Sequence, residues 1–152
     1  MSEIDYRVKV DVKEINALLS QLNDRQSKNA IKSGLRKSAS IIRKDAQQNL
    51  SSAIPKARRL RNDINLTVYK DASGARVDLL DHRKKGSKQF ILKFFELGTD
   101  DGSRNRAGNF RGKRIAEYRF LKQATESKKA EAERVLESNI IASINRVIEK
   151  NK

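Results

Sequence analysis

The chain has 152 residues, with 34 Lys+Arg against 19 Asp+Glu, a formal charge of +15 and a single histidine. By length it is one domain, and its sequence pI near 10.3 makes polyanions such as nucleic acid, acidic lipid or an acidic protein surface its natural partners. Cysteine is absent, which excludes disulfides, thiolate nucleophiles, zinc-cysteine sites and iron-sulfur clusters together and suits a reducing cytoplasm.

Hydrophobic residues make up 37% and aromatics 5%, below the roughly 45–50% apolar content of an average domain. The core is therefore expected to be thin or completed by a partner, and self-association follows as an expectation. No apolar run approaches the roughly 18–20 residues of a membrane span, and residues 1–10 carry no signal-like apolar block. The expectation is a protein used inside a cell.

Residues 4–10 alternate apolar and polar with period two, which predicts a half-buried strand. Asp11 is placed to cap a short amphipathic helix over 12–22, with Val12, Ile15, Leu18, Leu19 and Leu22 at helical spacing. A longer helix is predicted over 27–50, with Ile31, Leu35, Ala39, Ile42, Ala46 and Leu50 on one stripe and Lys28, Lys32, Arg36, Lys37, Arg43 and Lys44 outside it. Gly34 inside it costs up to about 1 kcal/mol against Ala and marks close packing.

Pro55, the one proline, ends that helix, because the residue before a proline disfavours the helical region. After the basic connection Lys56, Ala57, Arg58, Arg59, Leu60, Arg61, alternation over 64–70 and 74–80 around a turn at Asp71-Ala72-Ser73-Gly74 predicts an antiparallel hairpin. Residues 90–97 form the most apolar run of the chain, are short enough for a strand buried on both faces, and are ended by Gly98. They are assigned to the same sheet. Residues 99–114 are polar and glycine-rich and longer than an ordinary connection, which marks a functional or flexible loop. From Tyr118 onward Leu121, Ala124, Ala132, Val135, Leu136, Ile140, Ile144, Val147 and Ile148 trace a helix to residue 151, roughly 50 Å long. A helix of that length is expected to project from the domain, bend, or pack on a neighbouring subunit.

The predicted fold is therefore α+β: a small antiparallel sheet of three to four strands packed against a long helix in the N-terminal half and a long C-terminal helix. The single domain 1–152 divides into a strand plus helices (1–50), sheet (64–98), flexible loop (99–114) and C-terminal helix (118–151).

Chemistry-bearing constellations are few. His82 stands alone, short of a transition-metal set, and Asp100-Asp101 lacks the alternating oxygen ligands of an EF-hand loop. No phosphate-binding glycine motif is present, and no serine has a second histidine or a nucleophile-elbow context to activate it. No catalytic, cofactor or metal residue is assigned, and a non-enzymatic role is expected; an enzyme would need a pocket of perturbed acids, around Glu96 and His82. The basic clusters Arg58/Arg59/Arg61, Arg83/Lys84/Lys85 and Arg104/Arg106/Arg111/Lys113/Arg114 are candidates for subunit interfaces or phosphate contacts. A nucleic-acid-binding protein using them directly is the alternative function.

The order of features from Pro55 to Ala124 resembles the bacteriophage tail-component family typified by the Hong Kong siphophage, whose members are neck, tail-completion or head–tail joining proteins. The stretches that carry it are residues 54–64 around Leu60, the run Phe94-Phe95-Glu96-Leu97-Gly98-Thr99, and Phe120-Leu121-Lys122-Gln123-Ala124 at the entry to the last helix. Arg58-Arg59 stand where the family commonly has a threonine-glycine pair, and the proline that often precedes the final Phe-Leu is absent. The resemblance implies a structural phage protein that assembles with itself, as a ring around the DNA passage, and with other tail or connector proteins. It implies no membrane, cofactor or small-molecule substrate, DNA as a further contact, and a place in the virion tail or neck or in the host cytoplasm during assembly or as a prophage product.

The signature also has a physical reading. Gly98 can adopt positive φ and Thr99 can hydrogen-bond within the turn. Glu96 either takes a cationic or hydrogen-bonding partner, with Arg111 and Arg114 as candidates, or lies on the solvent side of its strand.

Overall fold

The computed structural model describes residues 6–7, 20, 22–79, 89–99, 107 and 115–152. The predicted helix over 12–22, apart from residues 20 and 22, and the loop over 81–88, with Arg83, Lys84, Lys85 and His82, lie outside them. So do Asp100, Asp101, Arg104, Arg106, Arg111, Lys113 and Arg114.

Helix α1 runs over Asp24–Ala53, beginning earlier than the apolar stripe alone suggests. Its start is set by a capping box: the Asn23 side chain accepts from Gln26 N at 2.8 Å while Gln26 Oε1 accepts from Asn23 N at 3.4 Å, so two backbone donors of the first turn find partners. At the other end Ile54 leaves the helical region ahead of Pro55, with φ −133° and ψ 80°, and its N–H closes on Leu50 O. The buried face of α1 reads Ala30, Gly34, Leu35, Ser38, Ala39, Ile42, Ala46 and Leu50, largely small residues at helical spacing.

That face meets the last helix. Phe120–Lys150 is the third α-helix of the described residues in chain order, α3. At about 46 Å it nearly matches the length of α1. Ser38 Oγ donates to Ala132 O at 2.8 Å, Ser127 Oγ to Asp45 Oδ2 at 3.2 Å, and Asn49 Nδ2 to Phe120 O at 3.2 Å. Rising numbers on α1 pair with falling numbers on α3, so the two helices are antiparallel. The long helix thus does not need to project, bend or find another subunit, as expected from its length; α1 is long enough to accompany it. Gly34 is the close approach that the sequence marks: a Cβ there would sit 2.7 Å from Ile140 Cγ1 and 3.2 Å from Leu136 O, and only a residue without one fits unstrained.

Between the helices the chain makes a 3₁₀ segment, Pro55–Asp63, and a hairpin of β2, Asn65–Val68, and β3, Ala75–Asp78. The hairpin register pairs Leu66 with Val77 and Val68 with Ala75. Its turn holds Ala72 at positive φ, an unfavourable conformation for a residue with a Cβ, and is stabilised by the Asp71 carboxylate, which accepts from Ser73 N at 3.1 Å and Ser73 Oγ at 2.7 Å. Of the predicted first strand, Tyr6–Arg7 is β1 and pairs antiparallel with the free edge of β3.

The body of the sheet is this hairpin, and only the two residues of β1 extend it, in the order β1-β3-β2. Residues 90–97 do not join it. They form a helix, α2, over Gln89–Leu97. Leu92 and Glu96, four apart, are both fully buried while Lys93, Phe94, Phe95 and Leu97 are half-buried, which is helical and not alternating spacing. A short apolar run carries no periodicity that separates the two states.

Candidate functional site

Two places bring the sequence-predicted residues together. The first is the joint between α2 and α3. Gly98 follows α2 with φ +71°, and its N–H reaches Phe94 O at 2.8 Å, the left-handed cap that ends a helix. The next two orphan carbonyls of α2 are met from across the chain: Tyr118 N donates to Phe95 O at 2.9 Å and Arg119 N to Glu96 O at 3.3 Å.

The Glu96 side chain does the converse for α3. Its two oxygens accept from Leu121 N at 2.9 Å and Lys122 N at 3.0 Å. These are the N2 and N3 positions of a helix whose own N-cap, Arg119, is left-handed and makes no side-chain cap. A carboxylate from 25 residues away therefore performs the capping that Ser, Thr, Asn or Asp would perform locally, at the helix end where negative charge is favoured. Glu96 is fully buried, which rules out the solvent-side reading. Burial pushes its carboxyl above the ordinary Glu range, opposed by the two backbone donors and then by the Arg119 charge. Arg111 and Arg114, the cationic partners considered for it, lie outside the described residues.

Thr99 bonds across the chain and not within its own turn: its N–H donates to Ile115 O at 3.0 Å and its Oγ1 accepts from Ile115 N at 2.9 Å. Thr99 and Ile115, 16 residues apart, are thus joined by one reciprocal pair of bonds. Phe95 packs edge-on against Tyr118, centroids 6.4 Å apart. Phe120 and Leu121 are buried in the core, and Leu60 packs half-buried against it.

The second place is a basic groove of about 470 Å³ between the last turns of α1 and the 3₁₀ segment, lined by Lys44, Gln47, Gln48, Ser51, Ser52, Pro55, Arg58 and Arg61. Three residues per turn divide the 3₁₀ segment into three stripes. Ala57, Leu60 and Asp63 are its more buried side; Pro55, Arg58 and Arg61 line the groove; Lys56, Arg59 and Asn62 are exposed on the third. Arg58 and Arg61 therefore share a surface that Arg59 does not. Gln47 Nε2 donates to Arg61 O at 2.9 Å and fixes one wall to the other. The α1 wall was not singled out from the sequence, although its polar residues recur at i, i+3, i+4, i+7 and i+8 from Lys44.

Among the described residues, no group of three or more His, Cys, Asp or Glu is placed to hold a metal ion, and no helix is long and apolar enough to cross a membrane. Compared with protein-family models, with curated proteins and with solved structures, the chain gives no match.

Proposed function

We propose that the chain is a non-enzymatic structural protein of a phage tail or head–tail joint, which works by assembling with copies of itself and with neighbouring tail or connector proteins. The observation that supports this reading is the closed joint around Glu96. Two of the three stretches on which the family resemblance rests, those holding Phe95-Glu96-Leu97-Gly98-Thr99 and Phe120-Leu121, are joined by hydrogen bonds through Glu96. The joint clamps the two feet of the segment between Thr99 and Ile115. A segment tied off in this way can vary in sequence without disturbing α2 or α3, which is the property an assembly loop requires. Its cations Arg104, Arg106, Arg111, Lys113 and Arg114, with Arg83, Lys84 and Lys85, are the residues assigned to the subunit interfaces. The protein then resides in the virion tail or neck, or in the host cytoplasm during assembly.

Sedimentation velocity over a range of concentrations, at low and high salt, tests this. The expected result is an oligomer that survives high salt, or a monomer that associates with tail or connector proteins. Replacing residues 101–113 by a Gly-Ser linker should leave the denaturation midpoint unchanged and abolish that association. A chain that stays monomeric alone and with those proteins, or a linker variant that assembles as well as the parent, would refute the reading.

A further inference from the structure

The groove between α1 and the 3₁₀ segment has no part in the joint around Glu96, and its chemistry points to a ligand of its own. Three cations, Lys44, Arg58 and Arg61, face it together with the neutral hydrogen-bonding side chains of Gln48, Ser51 and Ser52, and none of its lining residues is acidic. The nearest acids in sequence are occupied elsewhere: Asp45 accepts from Ser127 of α3 and from Asn49, and Asp63 lies on another stripe of the 3₁₀ segment. Arg58 and Arg61 stand one 3₁₀ turn apart, about 6 Å along its axis, so two guanidinium groups present themselves in file. Both are exposed.

We infer that this groove binds the phosphate backbone of duplex DNA without reading its sequence. Guanidinium and ammonium groups with hydroxyl and amide donors are what phosphate oxygens take. No aromatic side chain lines the groove, so it offers no stacking platform for the bases of a single strand. The inference does not depend on the tail reading, since it concerns a different surface and a different partner.

The test is fluorescence anisotropy of the full chain with a labelled duplex of arbitrary sequence, titrated across a salt series. Arg58→Gln/Arg61→Gln should weaken binding at least tenfold and lower the slope of log K against log salt by about 2, because two phosphate contacts are lost. Lys44→Gln alone should lower it by about 1. A control of equal charge change on the exposed side of α3, Lys129→Gln/Arg134→Gln, should alter binding less than about twofold, the scale of a surface change outside the contact. Equal losses in the groove and control variants would overturn the site in favour of diffuse charge. Absence of duplex binding would overturn it as well, and binding of poly-glutamate through the same arginines in its place would assign the groove to an acidic protein.

Discussion

The middle of α3 and its beginning are held to the rest of the fold by opposite means. In the middle, Leu136 and Ile140 close on Gly34 in a dry contact so tight that a single methyl group has no room. At the beginning, a buried carboxylate and a set of crossed backbone bonds tie α3 to α2. The dry contact draws on area and shape, is non-directional and registers every change of volume. The polar joint draws on directed bonds among groups that would be costly to bury alone, and it fails in steps when one partner is removed.

Truncation has the largest effect on each. Ile140→Ala removes a fully buried side chain and should cost about 2–5 kcal/mol, the usual range for such a cavity, read as a fall in urea midpoint at constant slope. Glu96→Ala removes no comparable apolar volume. It leaves the N–H groups of Leu121 and Lys122 without their acceptor and should cost about 2–4 kcal/mol. If Glu96→Ala proved neutral, the joint would be a decoration on a helix pair that is stable without it. Hydrogen exchange gives a finer reading: Glu96→Ala should accelerate exchange in the first turn of α3 ahead of its middle.

Gly98→Ala attacks the same joint through the backbone. The added Cβ would sit at positive φ and 3.1 Å from both Glu117 N and Ile115 O, so a loss of about 1–2 kcal/mol is expected. Gly34→Ala is the corresponding probe of the dry contact, and there two effects oppose. Alanine gains up to about 1 kcal/mol of helix propensity, while overpacking against Ile140 costs about 1–3 kcal/mol, for a net loss near 1 kcal/mol. Combined with Ile140→Ala the same methyl has space to occupy. The double variant should then be more stable than the sum of the two singles, whereas additivity would show that the two residues do not compete for one space.

The same contrast explains what could be read in advance. The apolar stripes of α1 and α3, the stop before Pro55, the hairpin and the packing role of Gly34 all rest on periodicity or on single-residue stereochemistry, which are local and visible in sequence. The state of residues 89–97 was not, because Phe90-Ile91-Leu92 and Phe94-Phe95 supply apolar side chains to any backbone; only the burial of Leu92 and Glu96 with Phe94 between them left half-buried reveals the helix. Glu96 as the cap of α3 was also hidden, since its partners are backbone N–H groups 25 and 26 residues away and no residue type announces them. The start of α1 could have been found in Asn23-x-x-Gln26, a capping pattern outside the apolar stripe. Of the groove, the arginines were visible as charge, but their division between two stripes required knowing that residues 55–63 wind with three residues per turn.

The gentlest probe of the joint is Glu96→Gln, which keeps the shape and one good acceptor and should cost about 1 kcal/mol at neutral pH. Its pH dependence is more telling than its size. Burial raises the folded-state pKa of Glu96 above its ordinary value, so the native state holds this proton more tightly than the unfolded chain does. The resulting stabilisation is fully present below the unfolded pKa and is lost as pH rises through the raised folded value. The stability difference between parent and Gln variant should therefore grow in favour of the parent as pH falls through that window, then level off. A difference that shrinks on acidification would mean that the two backbone donors and Arg119 outweigh desolvation. The carboxylate would then cap α3 as a charge, and the polar joint would be strongest at the pH where the dry contact, which has no titrating group, is unchanged.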